Sequence, residues 1–106
     1  MTTTDITTVW IDERVEFSLL ELSLVCRVET GQLLALVNEG VLQPSGAEPA
    51  TPPEHWRFDG SSLGRALAAV RLARDFELSP AGTALALDLL SQIKALRAQL
   101  RQFGVR

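Results

Sequence analysis

Among the 106 residues of this chain there is one cysteine, one histidine and no tyrosine. A single thiol, Cys26, excludes an internal disulfide, and Cys26 with His55 cannot supply the ligand set of a metal centre. Cys26 reads as a small buried hydrophobe rather than a reactive group. No nucleophile stands near a base at a useful spacing, and His55 falls in a proline-rich stretch, so neither an enzyme nor a cofactor is expected. No apolar run approaches the roughly 18 residues of a membrane span. The first residues, Met1-Thr2-Thr3-Thr4-Asp5, lack the basic and apolar regions of a signal peptide, so a cytoplasmic protein without a membrane partner is expected.

What is present is an ordinary globular balance, 46% apolar and 22% charged, at the length of one small domain. The net charge of −3 conceals a division. Residues 1–60 hold ten acids against three bases, a balance of −7, while residues 61–106 hold three acids against seven bases, a balance of +4. Polyanion binding needs cations where the nucleic acid lies, and the first half of the chain has few.

That first half nevertheless carries the spacing of a helix-turn-helix. Residues 6–11 are rich in β-branched side chains and read as a short strand ending at a charged turn, Asp12-Glu13-Arg14. Ser18 and Glu21 form a capping-box pair that starts a helix, with Phe17 placed to staple onto Leu22. A turn at Cys26-Arg27-Val28 leads to a second helix capped by Glu29 or Thr30, with Leu33, Leu36 and Val37 on one face and Gly40 as its left-handed terminator. Val41-Leu42-Gln43 and Trp56-Arg57-Phe58 read as two strands of a hairpin, or wing, joined by a proline-rich loop over residues 44–55.

Two helices follow. The first is expected to be capped by Ser61 or Ser62 and to carry Leu63, Ala66, Leu67, Val70 and Ala73 on one stripe, ending near Leu78. Ser79-Pro80 then opens the last helix, which runs almost to Gly104. Along it Ala86, Leu89, Ile93, Leu96, Leu100 and Phe103 alternate spacings of three and four, a heptad seam that implies a partner helix and hence a homodimer. Residues 1–78 are therefore taken as a winged helix-turn-helix domain and residues 79–106 as a C-terminal helix for coiled-coil dimerisation.

The order of helix, turn, helix, wing and two further helices resembles a MerR-type winged helix-turn-helix, a mainly α fold with a long C-terminal helix. Over residues 6–104 the chain is similar to the chaperone modulator CbpM family. The resemblance is carried by Phe17-Ser18-Leu19-Leu20-Glu21-Leu22, by Leu33 with Asn38-Glu39-Gly40-Val41-Leu42-Gln43-Pro44, by Trp56-Arg57-Phe58-Asp59, and by the stretches from Ala69 to Leu78 and from Ala84 to Leu90. It departs from the DNA-binding branch where that branch continues the second helix with an arginine, two aromatics and an acid. Here Leu34, Ala35, Leu36 and Val37 stand instead, and only Arg27 and Arg57 could approach phosphate. Metal-sensing members carry cysteines around the dimer helix, and this chain has none there.

The resemblance implies a small adaptor that binds the J-domain of a DnaJ-type co-chaperone, the curved-DNA-binding protein A (CbpA), and inhibits its co-chaperone and DNA-binding activities. J-domains share a basic helix that engages their Hsp70 partner, and an acidic surface covering it would compete by occupancy. Glu21, Glu29 and Glu39, with Asp12, Glu13 and Glu16 nearby in sequence, offer that surface. Leu34 is the candidate apolar anchor if exposed, and a core leucine otherwise. The alternative is a MerR-type regulator that binds DNA as a dimer, favoured by the frame and opposed by the acidity and a pI near 5.0.

Overall fold

The computed structural model describes residues 15–46 and 48–104; the expected strand at residues 6–11, and Asp12 and Glu13, lie outside them. In chain order the elements are β1 (Phe17–Ser18), α1 (Leu19–Cys26), α2 (Thr30–Asn38), a 3-10 turn (Pro53–His55), β2 (Arg57–Phe58), α3 (Gly60–Phe76) and α4 (Pro80–Gln102). The mainly α architecture, with a helix-turn-helix at its front and a long helix at its end, is the one implied by the sequence.

Each helix boundary has a local cause. Ser18 Oγ accepts from the Glu21 N–H at 3.1 Å while Glu21 Oε1 accepts from the Ser18 N–H at 2.8 Å, so both members of the capping box are formed. Phe17 is half-buried against the core that contains Leu22. Arg27 closes α1 in the left-handed conformation, φ 59°, and lets the Val28 N–H reach the Ser23 carbonyl at 3.1 Å. Of the two candidate caps for α2 the backbone selects Glu29, whose side chain makes no capping hydrogen bond but sits at the positive end of the helix dipole. Gly40, φ 81°, terminates α2 in a Schellman arrangement: its own N–H donates to the Val37 carbonyl at 3.0 Å and the Val41 N–H to the Leu36 carbonyl at 2.9 Å.

The expected hairpin does not form. β2 pairs instead with β1, antiparallel, with Phe17 opposite Phe58 and Ser18 opposite Arg57. The reason lies in Val41, whose backbone is already used on both sides: its N–H is taken by the Schellman bond and its carbonyl accepts from Arg65 Nε at 2.6 Å. Val41 and Leu42 are moreover both buried, where a strand would alternate, and Pro44 has no N–H to donate. The wing is therefore a loop, closed at its base by one backbone bond from Ser45 N–H to the Arg57 carbonyl at 2.7 Å and ordered internally by Trp56 Nε1 donating to the Thr51 carbonyl at 3.1 Å.

The cap of α3 is also corrected, from Ser61 or Ser62 to Asp59. The Asp59 carboxylate accepts from Ser61 Oγ at 2.6 Å and from the Ser62 N–H at 3.1 Å, and these bonds hold its carboxyl below the usual carboxylate range. On α3 the small residues Ala66 and Ala69 are fully buried, flanked by half-buried Leu63, Leu67 and Val70. Glu77 ends the helix in the left-handed region, as Arg27 does for α1. Ser79 Oγ accepts from the Gly82 N–H at 3.0 Å with Pro80 in the first turn, the start foreseen for α4.

The core joins Leu19, Leu22 and Cys26 of α1 to Leu33 and Leu36 of α2, then to Val41, Leu42, Phe58, Ala66, Ala69 and Leu87. Phe58, meeting Trp56 edge-on at 6.3 Å between ring centres, is the largest side chain wholly buried. Only the first turns of α4 join this core, through Thr83 and Leu87. The Thr83 hydroxyl is inside it and has no hydrogen-bond partner among the described residues. Removing an unpaired buried hydroxyl relieves its desolvation penalty, so Thr83→Val is expected to raise the unfolding free energy by about 1 kcal/mol. Urea denaturation of the two proteins measures this, and a less stable variant would show that the hydroxyl is satisfied in solution.

Candidate partner-binding surface

In a helix-turn-helix the second helix is the element that meets DNA, and here it is α2, Thr-Gly-Gln-Leu-Leu-Ala-Leu-Val-Asn, without one cation. Arg27 stands exposed at the turn. Arg57 Nε lies 3.8 Å from Glu16 Oε1, so part of its charge faces a carboxylate of the chain itself. Both side chains of that pair are half exposed, which makes it a weak contributor to stability and a local reduction of positive potential.

Of the acids proposed for partner binding, Glu21, Glu29 and Glu39 are at the surface, the last two well apart. Glu21 is exposed on α1 with its carboxylate engaged at the capping box. Glu29 and Glu39 are exposed at the two ends of α2, one before its first residue and one after its last, which separates their backbones by roughly 15 Å along the axis. Leu34 is not the exposed anchor: it is half-buried and packed against the core, because α2 turns a wide apolar arc inward, with Leu33 and Leu36 at its centre and Leu34 and Val37 on its flanks.

The exposed apolar side chains are elsewhere. On α1, Leu20 and Leu24 point away from Leu19, Leu22 and Cys26, and Val25 lies to one side. A helical projection of Leu-Leu-Glu-Leu-Ser-Leu-Val-Cys puts positions 20 and 24 opposite 22 and 26, two apolar sides of which the sequence does not say which is buried. On α4 the seam residues Leu89, Ile93, Leu96, Leu100 and Phe103 are 43–80% exposed, and Leu85, one turn earlier, lengthens the same stripe. Phe76, at the end of α3, is exposed as well. Among the described residues no group of His, Cys, Asp and Glu is placed to hold a metal ion, and no helix is long and apolar enough to cross a membrane.

Cys26 is packed into the core under α1, and burial pushes its thiol above the usual range. Iodoacetamide at pH 8 is therefore expected to leave Cys26 unmodified in the native protein and to alkylate it fully in guanidinium chloride, as read by intact-mass spectrometry. Rapid native labelling would show that α1 opens readily from the core.

Comparison with known proteins agrees with this geometry. The pattern of the family described as MerR HTH family regulatory protein matches residues 17–104. The chaperone modulatory protein CbpM of Coxiella burnetii (strain Dugway 5J108-111) is 35% identical over 81 residues, covering 76% of this chain and 73% of that protein. The protein of the same name from Pseudomonas entomophila (strain L48) is 32% identical over 83 residues, covering 76% and 78%. The match over residues 17–104 and relatives 32% and 35% identical over three quarters of the chain place it in the MerR helix-turn-helix family and, within it, in the family of the chaperone modulatory protein CbpM.

Proposed function

We propose that this protein modulates a chaperone system by binding the J-domain of a DnaJ-type co-chaperone, curved-DNA-binding protein A, and inhibiting its co-chaperone and DNA-binding activities. The observation that carries this reading is the family itself: relatives alike over three quarters of the chain bear the name chaperone modulatory protein. An α2 without cations and a first half balanced at −7 support a protein partner over a nucleic acid. Excess acid on this side speeds encounter with a basic helix and selects for it, while apolar contact holds the complex. Occupying the J-domain's basic helix would deny it to Hsp70, so inhibition needs no chemistry, only binding in the cytoplasm where both partners reside.

Titration calorimetry of the full chain against the isolated J-domain is expected to give saturable binding, and stopped-flow association to slow as salt rises. No heat at high micromolar concentration and low salt overturns the reading. The MerR frame keeps a second reading, a DNA-binding transcription regulator, in view. A discrete, competitor-resistant gel shift with the gene's own upstream region at physiological salt would favour it.

The protein acts in this reading as a homodimer joined along α4. Leu89, Ile93, Leu96, Leu100 and Phe103 form an exposed stripe on a helix of 23 residues, an arrangement that monomers avoid. Burying one leucine of such a stripe stabilises the pair by about 1.5–3 kcal/mol. Changing Leu96 and Leu100 together to Glu is therefore expected to convert a micromolar or tighter dimer to monomer in sedimentation velocity without unfolding the rest of the chain. A wild-type protein monomeric at tens of micromolar removes the dimer.

A further inference from the structure

Helix α1 is apolar on both of its sides. Leu19, Leu22 and Cys26 are buried in the core, whereas Leu20 and Leu24, on the opposite side, are 61% and 68% exposed, and Val25, to one side, is 47% exposed. Helices apolar all round belong in buried settings, and among the described residues nothing covers the outer side of this one. Leu20 and Leu24 are one turn apart and form a single ridge, the unit that a second helix accepts into its groove.

Of the charges around the ridge, acids outnumber bases three to two, and one of the acids is fixed. Glu21 lies between the two leucines in sequence, its carboxylate tied to the Ser18 N–H at 2.8 Å. Glu16 and Glu29 are exposed at either end of α1, against Arg27, at its C-terminus, and Arg57, which Glu16 already faces at 3.8 Å. A fixed carboxylate beside a leucine ridge suits a helix that presents apolar residues along one line and cations along its borders.

We propose that the outward ridge of α1, Leu20 and Leu24 with Glu21 along its border and Val25 beyond it, is the seat of a basic amphipathic helix; resting on the function proposed above, that helix is the basic helix of the J-domain. The anchor is then the first helix of the helix-turn-helix, not α2 and not Leu34. The leucine ridge supplies the hold, and Glu21 and Glu16 set the direction in which the partner helix lies. Because α1 and the α4 stripe are separate surfaces, one protein can carry a J-domain and a second copy at once.

Titration calorimetry of the full-length wild type and of the L20S/L24S double variant against the isolated J-domain tests this, with sedimentation velocity and thermal melting run on both. The expected result is binding by the wild type, binding weakened by at least ~tenfold in the variant, and unchanged sedimentation and melting temperature. Equal binding by both proteins overturns the α1 assignment while the chaperone reading stands. No binding by the wild type overturns that reading, and the assignment with it. A variant that melts well below the wild type, or that loses self-association, shows the ridge to be covered by the chain itself or by a second copy, and this too overturns the assignment.

Discussion

The two-residue pairing of Phe17 and Ser18 with Phe58 and Arg57 is the constraint on which the rest of the molecule turns. It brings a fully buried aromatic from the far end of the wing loop underneath the start of α1, at the same two residues that begin the capping box. Strand pairing sets where α1 begins, and the cap sets its rotation. With both fixed, Leu19, Leu22 and Cys26 have no direction but inward, and Leu20 and Leu24 none but outward. A single helix thus closes the core with one side and leaves a leucine ridge on the other.

The same economy of elements leaves this chain without a cation on the second helix of its helix-turn-helix. Its helix-turn-helix geometry is intact down to the left-handed residues that end α1 and α2, yet the groove-facing helix offers only Thr30, Gln32 and Asn38 as polar side chains. A frame of this kind positions whatever side chains it bears, and here it bears no cation on α2 to draw a polyanion. The positive charge resides in the second half, with Lys94, Arg97 and Arg101 beside the α4 stripe and no acid after Asp88. The molecule is consequently polar in the electrical sense, acidic where its helix-turn-helix lies and basic along its projecting helix.

Much of the fold is legible in the sequence because its signals are local. Ser18 with Glu21, Gly40, and Ser79-Pro80 each act over a turn of chain, and each forms as its residue types dictate. The hairpin is not legible, since what prevents it is distant: Arg65, 24 residues away, takes the Val41 carbonyl, and Phe17, some 40 residues before Phe58, takes the place beside it. Ser61 and Ser62 are good caps by type, but a carboxylate two or three positions earlier reaches the same N–H. Leu34 and Leu20 show why the candidate surface is the hardest part to read. In segments where nearly every residue is apolar, periodicity cannot say which leucines face water; the answer depends on how α1 and α2 are rotated against α3 and α4.

The Arg65 staple on Val41, the bond from Ser45 to Arg57 and the packing of the Pro53–His55 turn against α1 also hold the two ends of the wing loop. Between Ser45 and Trp56 the chain is a proline-rich excursion whose ends are held independently of its length. Doubling such a loop costs only about 0.6 kcal/mol of closure entropy. Residues added before Thr51 therefore burden the fold little, whereas a fluorophore or affinity tag spliced in at Pro53–His55 would disturb the turn that rests on α1.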